Sequence, residues 1–260
     1  MTYPRLGRAP AVLLVPAVIA VALLVVPLAT LVLDTPWRTL PEHVGSEVVR
    51  EALVITALSS LLTVVACVIL GTPLAWLLAR VDFRGRRVVR ALVLVPLVLP
   101  PVVAGVALVT AFGRSGLIGQ HLPISIPYTT SGVVLAHTFV SLPFYVLAVE
   151  GALRTHGASY DVVAATLGAD RWTTFRRVTL PLALPGVLAG SALAWARSLG
   201  EFGATITFAG NYPGTTQTMP SLIYVALNSD PTVARTLSLI LLVLSVGVLV
   251  LLRERWAVGR

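Results

Sequence analysis

Residues 52–79 read ALVITALSSLLTVVACVILGTPLAWLLA, a run of 28 residues without a charged side chain. A helix needs about 20 residues to cross about 30 Å of hydrocarbon, so this run is long enough to span a bilayer. Lipid offers the backbone no hydrogen-bond partner, and the run lacks the two-residue alternation of barrel strands. The run therefore predicts a transmembrane helix and indicates an α-helical membrane protein.

The rest of the chain has the same character. It is 57% hydrophobic and 12% charged over 260 residues, with a mean hydropathy of +0.91, whereas soluble domains are about 45–50% apolar and about 25% charged. The first apolar segment is too long for a signal peptide and has no small-residue cleavage site, so we expect it to be retained. We predict an all-α integral membrane protein, a single domain of six transmembrane helices at approximately 11–33, 52–79, 91–112, 131–153, 181–200 and 234–252.

The arginines predict the orientation of these helices. All 19 basic residues are arginine, and 14 of them fall on one side if the N-terminus lies inside. The positive-inside rule therefore puts both termini in the cytosol and the chain in the cytoplasmic membrane. The net charge of +8 follows from this bias, so no nucleic-acid partner is needed to explain it. The basic loop 80–90 predicts an anchor at anionic lipid headgroups.

Several motifs that chemistry or energy coupling would need are missing. The chain has no lysine, so it has no phosphate-binding loop of the G-x-x-x-x-G-K-[ST] type. It also lacks H-E-x-x-H, its four histidines show no ligand spacing, and Cys67 stands alone inside a span. We therefore predict no catalytic residue, no metal site, no cofactor and no nucleotide site in this chain.

Few ionisable residues are available as an ion or proton relay. Glu150 lies near the inner end of the fourth span, and Arg197 and Glu201 lie at the outer end of the fifth. The spacing of Arg197 and Glu201 is i,i+4 on one helical face, which allows either an ion pair near the interface or a role in lining a pathway. Without a buried relay or a nucleotide site, we expect a separate motor to power any transport.

Two segments predict departures from straight helices. Val95-Pro-Leu-Val-Leu-Pro-Pro-Val-Val-Ala-Gly105 places three prolines and a glycine in the third span, which should bend or break it. The outer segment 201–233 is long for a connection and is a candidate surface for an extracytoplasmic partner. Within it, 210–214 predicts a turn and 217–227 a short helix at the membrane surface.

Residues 161–181, DVVAATLGADRWTTFRRVTLP, form a polar segment between the fourth and fifth spans. Gly168 allows a sharp change of direction between two short helices, and Pro181 fits the first turn of the fifth span. Trp172 and Phe175 supply apolar anchors, and the neighbouring arginines supply a polar rim, as in protein recognition surfaces. An amphipathic helix lying on the inner leaflet explains the same spacing equally well.

This segment resembles the coupling loop, or EAA loop, of ABC importer permease subunits: Glu-Ala-Ala, three residues, Gly, nine residues, Ile-x-Leu-Pro. Gly168 and Leu180-Pro181 match, Val178 takes the isoleucine position, and Ala164 matches the second alanine. Val162 and Val163 replace the glutamate and the first alanine, and Asp161 stands one residue early. The resemblance implies a cytosolic coupling loop over 154–181 whose ATPase-coupling residues are Asp161, Ala164, Gly168, Ala169, Arg171, Trp172, Phe175, Arg176, Arg177, Leu180 and Pro181.

Segments 95–105, 199–211 and 216–220 are similar to the molybdate permeases and the related sulfate permeases. The resemblance implies a MetI-like bundle working as two copies, with two cytosolic ABC ATPase subunits, membrane lipids and an extracytoplasmic oxyanion-binding protein. A path for a dianion needs hydrogen-bond donors without a deep trap. Candidates for the pathway or an outer gate are Arg197, Ser198, Glu201, Thr205, Thr207 and Asn211.

The substrate implied first is molybdate, and the alternatives within the family are sulfate, thiosulfate and tungstate. A membrane scaffold and an intramembrane enzyme are distant alternatives. The enzyme alternative rests on Gly113-Arg-Ser115-Gly116, which matches a serine-protease element, with His137 in the next span.

Overall fold

A computed structural model describes residues 11–155 and 159–257, and within these ranges it is helical and contains no strand. The all-α prediction is therefore confirmed for the described residues. The helices are α1 (Ala11–Leu33), α2 (Leu40–Gly45), α3 (Glu47–Arg80), α4 (Arg86–Val98), α5 (Pro101–Phe112), α6 (Thr130–Thr155), α7 (Ser159–Thr166), α8 (Arg171–Thr174), α9 (Leu180–Leu199), α10 (Gly203–Phe208), α11 (Met219–Ser229) and α12 (Pro231–Ala257).

Four helical segments are long and apolar enough to cross a membrane: Val12–Leu33, Glu47–Arg80, Thr130–Thr155 and Arg171–Leu199. They cover the first, second, fourth and fifth predicted spans, and α4 with α5 forms a fifth span if the bent pair counts as one. The sixth predicted span, 234–252, lies within the 27-residue helix α12, Pro231–Ala257, which is apolar over Pro231–Gly247. The chain is thus a multi-pass membrane protein, and the number six stays a prediction.

The third predicted span is broken at its prolines. The axes of α4 and α5 differ by 120°, and Leu99 and Pro100 between them are extended, with ψ values of 131° and 137°. Each of these residues precedes a proline, which disfavours helical backbone at that position. The predicted bend is confirmed, and α5 packs against α10 and α6.

The centre of the bundle consists of α3, α6 and α9. Small residues let these helices approach closely: Gly71 and Gly190 face Tyr145, and Gly186 faces Ala152. Helix association in lipid depends on such packing because lipid tails are as apolar as the helices. By contrast, no described residue of α1 is buried.

The helix that contains the fifth predicted span begins at Arg171, before Pro181. It runs without a break from Arg171 to Leu199, with a π-helical turn at Phe175–Thr179. Leu180 N–H bonds to Phe175 O, five residues back, and Pro181 has no N–H to continue the α-helical pattern. The π turn accommodates Pro181 inside a longer helix, and the start of the membrane span near Pro181 stays a prediction.

Two short helices follow α9. The predicted helix over 217–227 is present as α11, Met219–Ser229, which is shifted by two residues toward the C-terminus. Its first residue, Met219, is buried and its N–H donates to Thr56 Oγ1 of α3 at 2.8 Å. The start of α11 is therefore held inside the bundle.

Candidate functional site

The coupling segment is folded as two helices joined at a tight turn. Gly168 has a φ of +83°, in the left-handed region that glycine adopts without steric cost. Asp170 then caps α8 by accepting the Thr173 N–H at 2.6 Å. The hydrogen bonds from Thr173 lower the pKa of Asp170. The predicted change of direction at Gly168 is confirmed, and it sets α7 beside the helix that becomes α9.

One side of α7 faces the bundle. Asp161 Oδ2 lies 3.2 Å from Arg80 Nε at the end of α3, and its Oδ1 accepts the Thr179 hydroxyl at 2.8 Å. The residue at the acidic position is therefore engaged within the chain. Ala164 and Ala169 are half-buried on the same side.

An aromatic ladder supports this side. The rings of Trp76 and Phe175 meet edge to face at 5.9 Å, and Phe175 stacks on Trp172 at 5.7 Å. Phe175 is thus a link between α3 and α8, and its part in docking an ATPase stays a prediction. Between α7, α8 and the end of α3 lies an open cleft of about 480 Å³, lined on one side by Arg80, Asp161 and Arg171.

Most of the solvent-exposed residues of the segment are apolar or basic. Val162, Val163, Leu167 and Trp172 are 56–83% exposed. Arg171, Arg176 and Arg177 are also exposed, whereas Leu180 is half-buried and Pro181 is exposed where the π turn joins α9. An exposed apolar group with a charged rim is typical of a protein-binding or membrane-binding surface. We call these seven residues, Val162, Val163, Leu167, Arg171, Trp172, Arg176 and Arg177, the coupling surface.

The basic loop 80–90 is bound to protein more than predicted. Arg86 Nε donates to Leu78 O at 2.9 Å, which satisfies a carbonyl at the end of α3, and Arg90 pairs with Glu150. Glu150 is buried and also pairs with Arg154 at 3.1 Å. Arg80, Arg86 and Arg90 of the loop thus hold helix ends together. Glu150 has a structural role, with its charge paired to those of Arg90 and Arg154.

At the other end of α9, Arg197 Nη2 lies 2.6 Å from Glu201 Oε2. The predicted ion pair is confirmed, but α9 ends at Leu199, so Glu201 lies beyond the helix and not on its face. Glu201 is 1% exposed, and its other oxygen accepts the Ala204 N–H at 2.8 Å. The pair therefore joins the end of α9 to the start of α10.

His137 connects three helices at this end of the bundle. It lies on α6, with Nδ1 2.8 Å from Ser198 Oγ on α9 and Nε2 3.0 Å from Thr205 Oγ1 on α10. All three side chains are at most 1% exposed. The sequence analysis missed His137 as a site residue because its partners lie 61 and 68 positions away. Its one available signal was a polar residue inside an apolar span.

The remaining outer candidates lie around this cluster. Thr207 Oγ1 donates to Gly203 O within α10, and its side chain packs against Gly105 of α5. Asn211 is half-buried, and its Oδ1 has no hydrogen-bond partner among the described residues. Ser198 and Thr205 are packed against protein in this conformation, so a pathway role for these residues stays a prediction.

The protease alternative does not fit this arrangement. Ser115 is exposed in the loop after α5, whereas His137 is bonded to Ser198 and Thr205. Ser198 and His137 are themselves both buried. A nucleophile needs a base within hydrogen-bond reach and a route for substrate, and neither serine has both.

His137→Leu is expected to destabilise the protein by about 2–4 kcal/mol, because two buried hydroxyls lose a partner at about 1–2 kcal/mol each. The thermal midpoint of the detergent-solubilised protein measures this effect. His121→Leu is the matched control, since His121 is exposed in the 3-10 turn Gly119–His121. Equal midpoints for the two variants would contradict the bridging role of His137.

The family model described as "Binding-protein-dependent transport system inner membrane component" matches residues 71–257, which include α6, the coupling segment and the His137 cluster. The chain belongs to this family. Its members are inner membrane components by description, in agreement with the multi-pass helices described above.

Individual relatives agree with this membership. The Molybdenum transport system permease protein ModB of Mycobacterium tuberculosis is 48% identical over 247 residues, 94% of each chain. The Sulfate transport system permease protein CysT of Escherichia coli is 37% identical over 79% of this chain and 76% of its own. A bacterial ABC transporter for alginate import has a chain of the same fold, with a TM-score of 0.77 and 17% identity over 95% of this chain and 94% of its own. The predicted ABC importer permease fold is confirmed.

Proposed function

We propose that this chain is the transmembrane permease subunit of an ATP-driven importer for a tetrahedral oxyanion, molybdate first. The coupling surface is the observation that carries the proposal: an apolar group with an arginine rim, exposed beside a helix that runs on for 29 residues. A helix that only lies on the inner leaflet would not need to continue into a membrane-spanning helix, as this segment does from Arg171 to Leu199. A docking site for a separate ATPase needs this continuity, because it must pass movement to the membrane-spanning helices.

The proposed assembly rests on the resemblance to ABC importer permeases. Two copies of the chain would pair with two cytosolic ABC ATPases and an extracytoplasmic oxyanion-binding protein, with both termini and the coupling segment in the cytosol. The exposed α1 is available for lipid or for the second copy. Closure of the ATPase dimer would move the coupling segments, and the long helices would carry this movement to the outer end of the bundle.

The relatives support molybdate over sulfate. The named molybdenum permease shares 48% identity with this chain and the sulfate permease 37%. A path that binds its dianion weakly lets the anion leave, so hydroxyls at the outer end are better lining groups than unpaired arginines. Ser198, Thr205, Thr207 and Asn211, with the Arg197–Glu201 pair, are the pathway or gate residues that we propose.

The test is uptake of labelled molybdate by cells that depend on this chain, its ATPase and its binding protein. We expect uptake that requires ATP and persists in excess sulfate. Strong competition by sulfate would instead favour a sulfate or thiosulfate permease, and equal uptake of tungstate would broaden the substrate class. Uptake that persists when the ATPase is deleted would refute the proposal.

A further inference from the structure

Asp161, the first of the two acidic residues in the coupling segment, points toward its own bundle. We propose that Asp161 is a positioning residue that clamps α7 to α3 and to the helix leading into α9, and that it does not serve as a contact for the ATPase. The inference rests on the proposed function, because the clamp matters only if α7 receives a force.

The geometry uses both oxygens of the carboxylate. Oδ2 pairs with Arg80 Nε and Oδ1 accepts the Thr179 hydroxyl. The side chains of Arg80 and Asp161 are 11% and 23% exposed, and Thr179 is buried within the π turn. The Thr179 hydroxyl donates to an ionised acceptor, which makes a stronger hydrogen bond than one between neutral groups. The Arg80 contact is an ion pair in which Nε–H is not aligned for a hydrogen bond. The carboxylate is thus committed to α3 and to the π turn.

α7 has little else to hold it in place. It is eight residues long and none of its side chains is buried. A helix this short is unstable without tertiary contacts. Val162 and Val163 of α7, and Leu167 just beyond its end, are exposed, so they do not anchor it to the bundle. Among the described residues, Asp161 connects α7 to Arg80 at the end of α3 and to Thr179 in the π turn before α9.

Because Asp161 faces the bundle, binding of the ATPase and transmission of its movement to the membrane helices depend on different residues. The coupling surface would still bind an ATPase if Asp161 were neutral, because its exposed residues would remain. The movement of α7 would then no longer be passed directly to the ends of α3 and α9. Loss of the clamp should therefore allow ATP hydrolysis without matching transport.

The experiment uses the full chain reconstituted in vesicles with its ATPase and binding protein. For Asp161→Asn we expect ATPase co-purification within about twofold of wild type, since the coupling surface is intact. Molybdate taken up per ATP hydrolysed should fall by about tenfold, the effect of losing one strong ionic contact. Thr179→Val, which removes the second contact, should lower the same ratio by about threefold.

Two further variants separate a clamp from a general loss of structure. The exchange Arg80→Asp with Asp161→Arg should recover uptake per ATP to within about threefold of wild type, because the ion pair is rebuilt. Asp82→Asn should leave the ratio unchanged, since Asp82 pairs with Arg86 while its side chain is 96% exposed.

Other outcomes would overturn the inference. If Asp161→Asn removes ATPase co-purification and the exchange does not rescue it, the carboxylate contacts the ATPase. If uptake per ATP is unchanged in Asp161→Asn, the clamp has no part in transmission. A wild-type chain that fails to co-purify with an ATPase or to import oxyanion would defeat the proposed function itself, whatever the variants do.

Discussion

Reversing three arginines of the coupling surface, Arg171→Glu, Arg176→Glu and Arg177→Glu together, is expected to abolish co-purification of the ATPase. These side chains are exposed beside Trp172, so they form the rim that a docked protein would cover. Like charges brought together at an interface cost several kcal/mol. Three reversals should therefore lower the affinity by about 100-fold or more. The measurement is the ATPase recovered on the tagged permease from detergent-solubilised membranes.

The matched control reverses three other exposed arginines, Arg38, Arg50 and Arg114, which belong to segments predicted to lie outside. This control changes the net charge by the same amount, and we expect full recovery of the ATPase. The amount of permease in the membrane should be equal for both variants, which separates docking from insertion. Full recovery with the first variant, or equal loss with both, would show that the coupling surface does not dock the ATPase.

Gly186→Val is expected to prevent accumulation of folded protein. A Cβ at position 186 would lie 2.3 Å from Ala152 Cβ and 3.2 Å from Ala148 O, so α9 would be forced away from α6. Overpacking a well-packed core costs about 1–3 kcal/mol and sometimes more. Here the obstacle includes backbone, so we expect at least the upper value, against a total stability of about 5–15 kcal/mol. The yield of monodisperse protein and its thermal midpoint measure the effect.

Gly151→Val is the control for this substitution. Gly151 also lies within a long helix, α6, but a Cβ there would meet nothing within 4 Å. Both variants replace a helical glycine with the same residue and so carry the same change in helix propensity, so their difference isolates the helix–helix contact. Similar yields for the two variants would mean that α6 and α9 can separate without loss of the fold.

Arg171, Arg176, Arg177 and Gly186 lie on one continuous helix. The helix from Arg171 to Leu199 has the coupling surface at one end and the Arg197–Glu201 pair at the other. Gly186 holds this element against α6 between the two ends. One end of this helix presents the arginines of the coupling surface. The other end is held by the Arg197–Glu201 pair and by the His137–Ser198 hydrogen bond.

The amino-acid sequence by itself determined the membrane class, the bend within 95–105, the turn at Gly168 and the Arg197–Glu201 pair. Each of these depends on residues close together in the chain: an apolar run long enough for a bilayer, a proline beside its neighbour, a glycine in a left-handed turn, two charges four residues apart. The resemblance of 161–181 to a coupling loop likewise needed only a local pattern.

The tertiary structure decided which way each side chain faces. Asp161 bonds to Arg80 and Thr179, Phe175 packs on Trp76, and His137 joins Ser198 to Thr205. These partners lie 18 to 99 positions apart, so no periodicity in the sequence could pair them. Burial then selected the pairs, because a polar group removed from water inside a bundle must find its partner in another helix.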